Sequence, residues 1–405
     1  MPASIALSSR RVLAAACGLT LLTAVGCSSS PAVPDSPEPA TTSAAQSQYE
    51  LTGTAGTLLE SEDFESRSAR LTATGATVYR FVYESTSGVD DSATAVSGVA
   101  AVPPGTPPAG GWPIVVYGHG TTGVQADCGP SLYPDLLGLD STVEAFTGLG
   151  YVTVLPDYQG LGSGNGTHPY LEPRTTGHNM IDAARAVHNA LPETSARWAA
   201  VGMSQGGQAA WAANELNSSY GQGLDLVASV SLSPPTDLAP LARAASDGTL
   251  TTPQKGLLPY LLYGAQQVDP TFDPRDYSGT VAQTNKELLL TCQGIDTATK
   301  ERAVSEMAPK EFAPRSPEAE QKLFDLIGRY TLPQVRTTVP MFVAYGARDD
   351  IVLPQWTADA VRAACAIGDR VVAQEQPEQG HNVSDDAAMQ FLAAEFAGAS
   401  VPSTC

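Results

Sequence analysis

"VGMSQGGQAA", Val201 to Ala210, holds a serine between glycines two positions away on either side. Gly202-Met203-Ser204-Gln205-Gly206 fits G-x-S-x-G, a sharp turn from strand to helix that holds a serine in a strained conformation. In a chain with 37 glycines the match means little by itself. Its weight comes from its surroundings. "RWAAVGMS" (197–204) reads as a strand and "GGQAAWAANELN" (206–217) as a helix, so Ser204 stands at the junction the motif requires.

The same alternation extends both ways. "WPIVVYGHG" (112–120) is a short apolar run of the kind found in parallel strands buried on both faces. "GYVTVLPDY" (150–158), "LVASVSLSPP" (226–235), "VPMFVAYG" (339–346) and "RVVAQEQ" (370–376) continue the series. Helical patterns fall between them at 142–150, 179–191 and 355–368. "ATVYRFVYEST" (76–86) and "AVSGVAAVP" (95–103), separated by a Gly/Asp turn, predict an antiparallel pair at the start of the sheet. The fold class is therefore α/β with a mostly parallel sheet. Roughly a hundred residues separate the strand ending at Pro235 from the one starting at Val339, far more than an ordinary connection. They carry helical patterns at 255–268, 285–292 and 318–330, which predicts a mainly helical insertion over 236–338, placed as a cap or lid.

The chain has 405 residues, 42% of them hydrophobic, enough for a large core. Its formal net charge of −20 makes nucleic acid a poor partner and suits a neutral substrate. Arg10 and Arg11 precede a short apolar run, Val12 to Val25, so residues 1–26 read as a secretory signal. Ala24-Val25-Gly26-Cys27 resembles a lipobox, which would make Cys27 the lipidated first residue of a cell-envelope lipoprotein; an ordinary secreted form is the alternative. Residues 27–48, rich in Ser, Pro, Ala and Thr, read as a disordered tether. The folded body then spans 49–235 and 339–405, with the insertion between. No later segment reads as a membrane span.

A serine hydroxyl needs a base to take its proton. Of five histidines, only His381 follows Ser204, as the order Ser, acid, His requires. It lies in "EQGHN", just after the last predicted strand. The acid must fall between them, and "VAYGARDDIV" places Asp349 and Asp350 directly after a strand. Asp349, on the turn leaving the strand, is the preferred partner for the imidazole. The oxyanion of an acyl-transfer intermediate needs preorganised donors. The Gln205 amide supplies one, and the "GHGTTG" loop (118–123) the other, from Thr121 in preference to Thr122. His119 is expected to shape that loop, and Asp157 to brace its own turn, "PDYQGLG" (156–162), at the same sheet edge.

Taken in order, "GHGTTG", "PDYQGLG", "GMSQGG", "YGARDDIV" and "GHN" resemble the secretory lipase family of α/β-hydrolases over roughly Thr52 to Cys405. The resemblance implies an α/β-hydrolase fold with a helical cap between the strand after the nucleophile and the acid. It also implies hydrolysis of carboxylic esters, often acylglycerols or other lipid esters. Cys17 leaves with the signal, and besides Cys27 four cysteines remain; spacing leaves their pairing open. The resemblance implies Cys128–Cys292 and Cys365–Cys405. No cysteine or histidine spacing fits a metal site, and the Ser204/His381/Asp349 chemistry needs no cofactor. An envelope acyltransferase using the same triad, or a binding protein on a hydrolase fold, are the competing readings.

Overall fold

The computed structural model describes residues 49–64, 68–163, 167–399 and 401–405. The signal, the lipobox with Cys27 and the tether lie outside the described residues. Nine strands form one sheet: β1 (Leu58–Asp63), β2 (Thr77–Thr86), β3 (Ala93–Val102), β4 (Trp112–Gly118), β5 (Val152–Pro156), β6 (Thr194–Met203), β7 (Asp225–Leu232), β8 (Met341–Gly346) and β9 (Val371–Gln376). Their order is β1-β2-β3-β5-β4-β6-β7-β8-β9. β1, β2, β3 and β5 pair antiparallel in turn. From β5 through β4 to β9 every pairing is parallel.

The apolar runs became parallel strands because both faces of the sheet are covered. Along β4, Ile114 and Val116 pack with Met180 and Ile181 of the helix Pro173–Ala190 and with Ala209 of the helix Gln205–Tyr220. The alternate residues Val115 and Tyr117 face Phe146 and Phe391, on the helices Asp140–Gly148 and Asp386–Phe396. Period-two alternation therefore puts apolar residues into both layers, and no polar face remains to betray the strand.

Among the elements that depart from the sequence reading, three lie in or against the sheet. β1 was not expected: it is an edge strand, largely exposed, and lacks an apolar run. The helix Asp386–Phe396 was not expected either, although Phe391 and Leu392 are buried beneath the sheet. The helix expected at 179–191 begins at Pro173. Glu172 caps it, accepting from the Arg174 and Thr175 amides, and Pro173 takes the first helical position, where no N–H is needed.

The residues between β7 and β8 form a helical insertion with its own core. The longest helix, Thr252–Val268, buries Leu258, Leu261 and Leu262 against Phe272, Tyr277 and Leu326. Two disulfides are formed. Cys128–Cys292 ties the segment after β4 to the insertion, and Cys365–Cys405 ties the helix Pro354–Ile367 to the chain's last residue. The Thr404 amide donates to Val371 O, so the tail lies along the start of the edge strand β9. Among the described residues no helix is long and apolar enough to cross a membrane.

Candidate active site

β6 ends at Met203 and the next helix starts at Gln205, which leaves Ser204 alone at the corner with φ 54° and ψ −122°. Non-glycine residues rarely hold a positive φ, and here the surroundings impose it. The flanking glycines answer a different need, close approach. A Cβ on Gly206 would lie 1.8 Å from the carbonyl oxygen of Gly118, and one on Gly202 would lie 2.2 Å from that of Gly206. The helix thus presses against the ends of β4 and β6, and any larger residue would push it away. Connections from β4 and β6 depart toward opposite sides of the sheet here, the switch point where α/β proteins place their sites.

The two other polar groups arrive from the ends of β8 and β9. His381 Nε2 lies 2.9 Å from Ser204 Oγ, and His381 Nδ1 lies 2.8 Å from Asp349 Oδ2. A carboxylate only accepts, so Nδ1 carries the imidazole proton and the Nε2 lone pair faces the serine hydroxyl. Asp349 is buried, and its Oδ1 accepts from the amides of Ile351 and Val352 at 2.9 and 3.0 Å. Asp350, one residue on, is exposed. The His381 loop is held from below, where Ser233 Oγ donates to the His381 carbonyl at 2.7 Å. Gly346 allows the loop near, since a Cβ there would sit 2.0 Å from the Gly380 carbonyl oxygen.

Gln205 opens the helix, so its N–H has no carbonyl partner within it and stands beside Ser204. Its side chain is buried and donates through Nε2 to His168 Nε2 at 2.5 Å, while His168 Nδ1–H donates to the Gln159 carbonyl at 2.8 Å. Burial pushes the His168 pKa down to about 3, which keeps the ring neutral and able to accept that bond. Thr121 lies on the loop after β4, with Oγ1 2.5 Å from the hydroxyl of Tyr170, a residue of the pocket wall. Gly120 of the same loop lies beside the serine: a Cβ on it would be 3.8 Å from Ser204 Cβ. The loop is braced behind. His119 is buried, its ring nitrogens facing the carbonyls of Gly120 and Asp157 at 2.6 and 3.2 Å. Asp157 accepts from Ser97 Oγ and from both the amide and hydroxyl of Ser131.

Ser204 lines a narrow pocket. Apart from Ser204 its wall is mostly apolar: Leu238, Leu257, Leu258 and Leu261 from the insertion, with Tyr170 and Trp356. Tyr170 and Trp356 carry no motif, and their place in the wall depends on how loops and insertion pack over the sheet.

A model of the secretory lipase family matches residues 140–402, well over half of the chain. The chain belongs to the secretory lipase family. It is therefore a hydrolase of carboxylic ester bonds, and family and disulfides together point to an exported protein. Among solved structures the chain is similar to lipase A of Candida antarctica in its closed state, with 17% identity and a TM-score of 0.70. That match covers 87% of this chain and 84% of the other. It is also similar to the rice cell wall degrading esterase LipA of Xanthomonas oryzae in a ligand-bound form, at 22% identity and a TM-score of 0.64, covering 85% and 96%. At such identities the likeness establishes the α/β-hydrolase fold. No curated protein sequence matches the chain.

Proposed function

We propose that the enzyme cleaves lipid esters through a Ser204–His381–Asp349 triad and an acyl-enzyme intermediate. The observation that carries this reading is the continuous hydrogen-bonded chain from Ser204 Oγ to a buried carboxylate, at 2.9 and 2.8 Å, at the mouth of an apolar pocket. His381 Nε2 takes the hydroxyl proton as Oγ attacks the acyl carbon. Asp349 holds the imidazole in the tautomer that can accept and stabilises the imidazolium that follows. The amides of Gln205 and Thr121 bind the oxyanion. His381 then returns its proton to the departing alcohol, and water, activated the same way, releases the acid.

The insertion, in this reading, is a cap over 236–338 whose long helix forms one wall of the acyl site. Leu257, Leu258 and Leu261 face the pocket, whereas Leu262 and Tyr260 belong to the interior of the cap. An apolar wall favours an acyl chain long enough to touch it. Each buried methylene contributes about 0.8 kcal/mol, so esters of medium or longer acids are expected to beat acetate several-fold to tens-fold in kcat/KM. A series of p-nitrophenyl esters and triglycerides tests this. Leu257→Trp, at a half-buried position on this wall, is expected to shrink the ratio of long- to short-chain rates. An unchanged ratio in the folded variant would place the acyl chain elsewhere.

The same proposal makes Cys27 a lipidated membrane anchor. The mature protein is then expected to begin at an acylated Cys27. An unmodified N-terminus downstream of Cys27 in intact-mass spectrometry would show an ordinary secreted enzyme instead.

A further inference from the structure

We infer that Thr251 and Gln254, at the start of the cap's long helix, are positioning residues that clamp the acid loop and act through Asp349. The inference rests on the role proposed above for that carboxylate.

The loop Asp349–Val352 is folded around its own acid. Oδ1 takes the amides of Ile351 and Val352, which leaves Oδ2 for His381. Two further backbone groups in the turn are the carbonyls of Asp350 and Ile351. Both accept hydrogen bonds from the cap: Thr251 Oγ1 donates to Asp350 O at 2.7 Å, and Gln254 Nε2 donates to Ile351 O at 2.9 Å. The loop that aims the carboxylate is thus gripped from two sides, by the acid and by the cap.

The donors come from a capping box. Thr251 is the N-cap of the helix Thr252–Val268 and Gln254 is its third residue. The Gln254 amide donates to Thr251 Oγ1 at 3.2 Å, and the Thr251 amide donates to Gln254 Oε1 at 3.1 Å. Helix capping uses only the acceptor oxygens of the two side chains. Their donor groups are left over, the hydroxyl proton of Thr251 and the amide protons of Gln254, and these are what reach the acid loop. Starting the helix needs only acceptors, so aspartate at 251 and glutamate at 254 would serve it equally well. Holding the loop needs donors, which both acids lack. Gln254 is also 4% exposed and lines the pocket that opens at Ser204. Cap, pocket wall and acid loop therefore meet at one side chain.

This separation of roles defines the test. Gln254→Glu and Thr251→Asp keep the cap of the helix and remove one donor to the loop. Each is expected to lower kcat by about ten- to a hundredfold, the scale of a small misplacement of a reacting group. The loss should be equal for acetate and for longer esters, with KM little changed; Thr251→Asp, at a half-buried position, should melt close to the parent, whereas the charge buried by Gln254→Glu should lower the melting temperature. Thr251→Ser, which keeps the hydroxyl, should retain the parent rate. In an Asp349→Asn background neither acidic substitution should cost much more, since residues acting through one group are not additive. Full kcat in a folded Gln254→Glu or Thr251→Asp would overturn the inference. So would a loss confined to long-chain esters, which marks a pocket wall only, or the same loss in the Asp349→Asn background. If one acidic variant fails to fold, the other decides by the same criteria. Activity retained by Asp349→Asn alone would instead remove the acid assignment itself, a distinguishable result.

Discussion

Ser204→Ala is expected to lower kcat for ester hydrolysis by about 10⁶-fold, and His381→Ala by nearly as much. In the proposed mechanism the serine oxygen forms the acyl-enzyme, and it faces His381 Nε2 at 2.9 Å. Without the imidazole, that oxygen keeps its proton and remains a poor nucleophile. Because the two act as one unit, the double variant should be no slower than either single one. The residual rate should reflect oxyanion binding alone. Alanine at 204 removes one oxygen and inherits the same positive φ, so the fold should survive. Stopped assays with a p-nitrophenyl ester, a fluorophosphonate label and a thermal melt check the three parts separately. A folded Ser204→Ala protein that keeps even a few percent of the parent rate would remove Ser204 as nucleophile.

Asp349→Asn should cost about 10⁴-fold, and Asp350→Asn no more than a few-fold. The contrast follows from what each atom touches. In an asparagine at 349 the oxygen would stay on the amides of Ile351 and Val352, two donors that a nitrogen cannot face. The amide nitrogen would then point at His381 Nδ1 and demand an acceptor there. The imidazole would have to carry its proton on Nε2, aimed at Ser204 Oγ, where it cannot act as a base. The geometry would look intact while the tautomer is wrong. Asp350 offers the loop only its backbone carbonyl, which asparagine retains. Steady-state rates for the two variants, measured side by side, decide the position of the acid. A larger loss at 350 would move it by one residue.

Much of this architecture is legible because its signals are local. Short apolar runs ending in glycine locate β4 and β6, and the run entering "YGARDD" locates β8; these strands are buried on both faces and contain little else. The glycines around Ser204 are legible for a related reason. Helix and strands approach within a distance that no side chain permits, and only one residue type answers that demand. β1 was not legible, because a largely exposed edge strand is stabilised by its partner's backbone rather than by its own side chains. The insertion was legible as helical and apolar; which of its leucines line the pocket was not. Leu261 and Leu262 are neighbours of one type in the sequence and both pack in the cap's core, yet of the two it is Leu261 that also lines the pocket.

By itself the sequence determined the succession of strands β2 to β9 along the chain, the corner at Ser204, and the placement of one histidine and one acidic pair at the ends of later strands. Each of these depends on residue type and on neighbours a few positions away. Turn position favoured Asp349 over Asp350, but only the tertiary structure shows which of the two carboxylates the turn folds inward toward His381. It also brought Tyr170 to Thr121 and Gln254 to Ile351. Such contacts join segments far apart in the chain, and their partners are chosen by how the cap packs on the sheet rather than by any pattern along the backbone.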